Sequence, residues 1–173
     1  MINFTIRLNK LAQDKKPKDE LQRADDQLVL PFDLRQKSRL RVNLLSGKEA
    51  ALMLDRGTIL RGGDLIQATD GQVVEIVAAN QAVTDVTADT PQALMCAAYH
   101  LGNRHVPLQV GDGWLRLEQD HVLNEMLVGL GMTTVNLLAP FEPEAGAYGG
   151  GHKHHHDDDN SQRLPSARLR RHA

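Results

Sequence analysis

The residues of this chain best suited to chemistry are its histidines, and they fall into two groups. Tyr99-His-Leu-Gly-Asn-Arg-His105-Val-Pro-Leu108 carries His100 and His105 inside a patterned, foldable stretch. His152-Lys-His-His-His156 packs four imidazoles into five residues of a region with almost nothing to fold with. Neutral imidazole is the commonest protein ligand for divalent transition metals, and short histidine-rich tracts read as metal-binding. The pattern points to metal handling.

Val106, Leu108 and Val110 alternate with Pro107 and Gln109, the period of a strand. A strand from Arg104 to Val110 would turn the three apolar residues inward. His105 would then face outward with Pro107 and Gln109. One imidazole is a poor site for a divalent ion, but a two-fold dimer supplies two from one position. His121 falls in the first turn of a predicted helix, near Glu118 and one turn before Glu125. It reads either as an accessory ligand or as a solvated helix-start histidine. Cys96 and His100, four apart on another helix, share a face that can bind a soft metal, although such a cysteine is more often a small buried hydrophobe.

In the tail, His152, His154, His155 and His156 can wrap one ion at an entropic cost that limits affinity. Lys153 interrupts the run and Gln162-Arg-Leu-Pro-Ser-Ala-Arg follows, which favours a natural tail over an engineered tag. Asp157 to Asp159 either add carboxylates or keep the tail soluble, and the arginines from Arg163 read as solvated charge. After Ala145 no apolar periodicity survives, so the tail is expected to be disordered.

The elements that must position these residues divide into two units. Residues 10 to 27 are charge-rich and read as a long loop or weakly helical insertion. From Leu28 to Ala79 short strands alternate with turns at Ser46-Gly47, Arg56-Gly57, Gly62-Gly63-Asp64 and Asp70-Gly71. Leu40, Val42 and Leu44 show period two, and Val73 to Val77 closes a small all-β unit. Beyond it a strand is expected at Val83 to Thr87. A helix then starts at Thr90-Pro91 and carries Leu94, Ala97, Ala98 and Leu101 on one stripe. Gly102 is expected to end it in a left-handed conformation. The Val106 strand, a turn at Gly111-Asp112-Gly113 and a strand through Leu115 and Leu117 follow. A second helix carries Val122, Leu123, Met126, Leu127 and Leu130 to Gly131, and Thr133, Val135 and Leu137 form a last strand. The order is β-α-β-β-α-β, the ferredoxin-like motif. The expected class is α+β: an all-β domain at 1–78, a ferredoxin-like domain at 79–147 and a tail at 148–173.

Bulk properties exclude several functions. A formal charge of −2 gives no basic field for nucleic acid or a membrane surface. Aromatics at 3% are too few for base stacking. No apolar run is long enough to span a bilayer, and the first residues do not form a secretory signal, so the expected compartment is the cytoplasm. The lone Cys96 rules out an internal disulfide. No metalloprotease helix, nucleophile elbow, phosphate loop or dinucleotide fingerprint occurs. A metal-dependent hydrolase would need Glu118 or Glu125 as a general base beside His121. A zinc or copper buffer is the other alternative.

His100-Leu-Gly-Asn-Arg-His105-Val-Pro-Leu-Gln109, Asp120-His-Val-Leu123 and Pro140-Phe-Glu-Pro-Glu-Ala-Gly-Ala-Tyr148 before a histidine-rich tail resemble the UreE family of urease accessory nickel chaperones. Arg56-Gly57 and Gly63-Asp64 fit its N-terminal half. The resemblance covers most of residues 36 to 156. It implies a β domain, a ferredoxin-like metal domain, a homodimer and no enzymatic activity. It further implies delivery of Ni²⁺, with Zn²⁺ or Cu²⁺ also able to bind, to apo-urease through the other accessory proteins, including a GTPase. His105 would be the interfacial ligand, His121 a secondary one, and His152, His154, His155 and His156 weaker sites. Position 119 is glutamine where some members carry another histidine, the tail is short beside the longest ones, and the 10–27 stretch has no counterpart.

Overall fold

The computed structural model describes the backbone of residues 6–10 and the whole of residues 24–145. Two sheets follow one another along the chain. The first contains β1 (Ile6–Lys10), β2 (Asp26–Leu30), β3 (Arg39–Asn43), β4 (Glu49–Met53), β5 (Leu65–Ala68) and β6 (Val73–Ala78), with a short helix α1 (Phe32–Arg35) after β2. Its strand order is β2-β6-β5-β1-β4-β3. The β1–β4 and β2–β6 pairs are parallel and the others antiparallel.

Alternation along these strands builds the first core. Leu28 and Leu30, Val42, Ala50 and Leu52, Ile66 and Ala68, and Val74 and Ile76 all turn to one buried cluster. Each large aliphatic side chain there contributes about 1.5–3 kcal/mol of apolar burial. Arg41 and Asn43 stand on the opposite, exposed face, as the period at Leu40–Leu44 predicts. The charged stretch at 10–27 is corrected at both ends. Lys10 completes β1, while Asp26 and Gln27 open β2; residues 11–23 lie outside the described residues. Parallel pairing explains why local sequence hid β2: its partners, Val74 to Ala78, lie far along the chain.

The second sheet follows the order β7 (Asn80–Thr87), α2 (Pro91–Gly102), β8 (Gln109–Gly111), β9 (Trp114–Glu118), α3 (His121–Gly129) and β10 (Thr133–Pro140). Its strand order is β10-β7-β9-β8, every neighbouring pair antiparallel. Both helices cover one face. Val86, Leu115 and Leu117 of the sheet pack with Ala97, Leu101 and Leu127 of the helices. The predicted helix start is present: the Thr90 hydroxyl accepts from the Ala93 N–H at 3.2 Å, with Pro91 at the first helical position. Val122 and Leu130, expected on the apolar stripe of α3, are instead 60% and 44% exposed.

The other face of the second sheet meets the first unit. Phe32, Val83, Ala139 and Phe141 form a separate buried cluster, with the Phe32 and Phe141 rings edge-to-face at 5.4 Å. Pro31 gives α1 no side-chain cap, and the Phe32 N–H is satisfied across the joint by Gln81 Oε1 at 2.8 Å. Arg35 is buried completely in this joint. Its guanidinium donates to the carbonyls of Leu30 at 3.2 Å, Leu60 at 3.0 Å and Phe141, and to Glu142 Oε1 at 2.8 Å. A buried cation is tolerable only when its donors are satisfied in this way.

Candidate metal centre

The end of α2 decides how His105 is presented. The His105 N–H donates to the Gly102 carbonyl at 2.9 Å, and the Val106 N–H reaches back to the Leu101 carbonyl at 3.2 Å. This pair of bonds is a Schellman motif, in which the residue past the helix end takes the left-handed conformation. That residue is His105, with φ of 56°, among the described residues the one non-glycine at positive φ. Val106 completes the motif by joining Leu101 in the apolar cluster.

Two expectations are therefore corrected. Gly102 is not the left-handed terminator; it remains the last helical residue. Nor does a strand run from Arg104 to Val110, because only Gln109–Gly111 pairs with β9. Helix-end bonds hold His105 and Val106, and Pro107 has no N–H to give a ladder. Val106 and Leu108 still pack inward, but Val110 at the sheet edge is 54% exposed. His105 is exposed as expected, on a helix cap rather than on a strand face.

His121 is the first residue of α3 and is exposed. The Asp120 carboxylate caps that helix by accepting from the Leu123 N–H at 2.9 Å, so Asp120 is engaged in structure. Glu118 Oε1 accepts from Gln81 Nε2 at 2.8 Å, which ties one candidate base to the joint. Cys96 is exposed, against the expectation of a small buried hydrophobe, and His100 is half-buried with its ring 5.6 Å from that of Tyr99. Met95 and Tyr99, four residues apart on α2, are 65% and 66% exposed.

Among the described residues no group of three or more His, Cys, Asp or Glu side chains converges to hold a metal ion. His105 and His121 are thus not joined into one site within a subunit by such a cluster. His152, His154, His155 and His156 lie outside the described residues. Sequence reasoning missed Arg35 and Glu142, which lock the two sheets together. The one signal for them was Pro140-Phe-Glu-Pro, a motif whose reason becomes visible only when its partners from residues 35, 61 and 62 are in place.

Two family models cover most of the chain. One described as the N-terminal domain of the UreE urease accessory protein matches residues 4–79, running through the charged stretch at 10–27. One described as its C-terminal domain matches residues 81–168. A protein named urease accessory protein UreE from Cupriavidus necator is 61% identical over 132 residues, 76% of this chain and 69% of its own length. Its namesake from Ralstonia nicotianae is 58% identical over 132 residues, 76% of this chain but 63% of its own length. The one from Alkalilimnicola ehrlichii is 58% identical over 127 residues, covering 73% and 78% of the two chains.

Proposed function

The chain belongs to the UreE family of urease accessory proteins, and from that membership we propose that it serves urease maturation as a metallochaperone with Ni²⁺ as cargo. The observation that carries the metal reading is His105, an exposed imidazole on a left-handed residue. Side chains adopt that conformation at a cost of order 1–3 kcal/mol, and such strain gathers at functional positions. The carbonyl end of α2 beneath it carries negative partial charge, which favours a bound cation.

One subunit offers no three-ligand cluster among its described residues, which favours pairing two copies of His105 across a two-fold axis. Met95 and Tyr99 on the same helix offer apolar area for a homodimer. His121 would be a secondary ligand, and His152, His154, His155 and His156 would add weaker sites. The strand order β10-β7-β9-β8 supports reading residues 79–147 as a ferredoxin-like domain, after a β domain at 1–78 and before a histidine-rich tail at 148–173. The proposed partners are apo-urease and the other accessory proteins, including the GTPase, in the cytoplasm. Among the described residues no helix is long and apolar enough to cross a membrane. Nitrogen ligands prefer Cu²⁺ to Ni²⁺, so selection must come from geometry, supply or docking. Glu118 bonded to Gln81 speaks against a hydrolase with that residue as base. A zinc or copper buffer is separated from the chaperone by whether urease accessory proteins co-purify.

Imidazole must be neutral to ligate and metal binding releases protons, so nickel affinity should fall as the solution is made acid. Calorimetric titrations at pH 8 and pH 5.5 check this, and equal affinities would refute it. Truncation after Tyr148 should remove the weaker sites and leave one ion per dimer, read by equilibrium dialysis with elemental analysis. Loss of the tight site on truncation would place it in the tail.

A further inference from the structure

The chain does not leave the molecule when β10 ends at Pro140. Phe141 is fully buried and its carbonyl accepts from Arg35. Glu142 then turns its carboxylate to the first unit: Oε1 accepts from Arg35 Nη1 at 2.8 Å and from the Gly62 N–H at 2.9 Å, and Oε2 from Arg61 Nη1 at 3.3 Å. The approach to Gly62 is close enough that a Cβ there would lie 3.1 Å from Glu142 Oε1. The backbone of the same segment bonds in the other direction. The Glu142 N–H donates to Gln109 Oε1 at 2.9 Å, and the Glu144 N–H to the Leu108 carbonyl at 2.7 Å.

Residues 141–144 therefore form a strap. The Glu142 carboxylate and the Phe141 and Pro143 carbonyls grip the first unit, and the Glu142 and Glu144 N–H groups grip the segment that follows His105. Leu108 packs into the apolar cluster, but the backbone of this segment has no strand partner before Gln109. Its upstream end is fixed by the helix-end bonds of His105 and Val106, and regular pairing resumes only at Gln109.

We propose that Glu142 is a positioning residue for the metal site: by holding the strap against Arg35, Arg61 and Gly62, it fixes the Leu108–Gln109 segment and hence the place of the His105 imidazole. The inference rests on His105 being a ligand. A ligand must be held within about half an ångström of its working position, and supports behind it set its affinity. The position of the first unit is thereby communicated to the metal site through four residues, giving a docking partner on that unit a physical route to loosen the cargo.

The test compares full-length wild type, Glu142→Ala, Glu142→Gln and Arg61→Ala at a temperature where denaturation curves show all four folded. Amide hydrogen exchange of His105 and Val106 is measured without metal, and Ni²⁺ affinity by calorimetry. Glu142→Ala should speed exchange at both amides and weaken the tight site about tenfold, the low end for residues that orient a ligand. Glu142→Gln keeps an oxygen for Arg35 and Gly62 and should recover most of both losses. If Glu142→Ala does not fold, Arg61→Ala, which leaves Arg35 in place, should show the same two changes more weakly. A lower melting temperature with unchanged exchange, or unchanged nickel affinity, overturns the proposal. Should wild type itself take up no nickel, the His105 reading fails, and the exchange measurement alone decides whether the strap holds the loop.

Discussion

Replacing His105 by glycine is expected to destroy the proposed tight nickel site while making the metal-free protein more stable. Glycine adopts φ near 56° without the Cβ penalty that histidine carries there. The position closes a Schellman motif, where glycine is the commonest occupant. Relief of a left-handed penalty of roughly 1–2 kcal/mol, less the extra chain entropy of glycine, gives an expected gain of up to about 1 kcal/mol in the unfolding free energy of the metal-free form. In the proposed dimer both ligands on the axis would disappear together, so the affinity loss should exceed the roughly 100-fold seen when an orienting neighbour is removed. His105→Ala should lose the same affinity without the gain, because alanine keeps a Cβ. Urea denaturation of metal-free protein and nickel calorimetry on both variants check the pair. A glycine variant less stable than wild type would show that the imidazole contributes to the fold. A variant binding nickel as tightly as wild type would end the metal assignment. A change that stabilises while abolishing function is the expected mark of a residue retained for its task.

Arg35→Ala is expected to cost about 3–5 kcal/mol, the range for removing one member of a buried ion pair. The side chain is wholly buried, and its loss leaves the carbonyls of Leu60 and Phe141 without the donor they now share, while Leu30 keeps the Ala79 N–H. A cavity under the Phe32 ring adds to the cost, since the guanidinium carbon sits 5.4 Å from that ring's centroid. Glu142, 29% exposed, keeps Arg61 and some water, which limits the penalty on its side. Against a typical total stability of 5–15 kcal/mol the change is large. The midpoint of urea unfolding measures it. A loss under about 1 kcal/mol would mean that apolar packing of Phe32 and Phe141 suffices to hold the joint.

Where the sequence carries its information locally, it was legible. The Thr90-Pro91 start and the Leu94–Leu101 stripe of α2 depend on residues within a few positions of each other, and both appear as read. The turns at Gly57, Gly63 and Gly71 are likewise local and carry positive φ. The strand assigned around His105 failed because apolar alternation has two causes. Val106 and Leu108 do point inward, but Val106 does so to seal a helix end. The preceding Gly102 drew the left-handed position three residues too early. Arg35 was invisible for a different reason. Its partners come from residues 30, 60, 141 and 142, and no window of sequence shows a cation that all four surround. His105 was recognisable as a residue of interest, but its strained backbone was not.

The strand nearest the start of the chain, β1, lies inside its sheet with β4 on one side and β5 on the other. Ile6 meets Ala50, and Leu8 meets Ala68. During synthesis this strand stays unpaired until β4 emerges and keeps one bare edge until β5 follows, and such distant pairings are slow to close. A protease nick or a deletion there would not merely fray a border. It would cleave the sheet into the ribbons β2-β6-β5 and β4-β3, each with a newly bared row of amides and carbonyls ready to recruit another molecule.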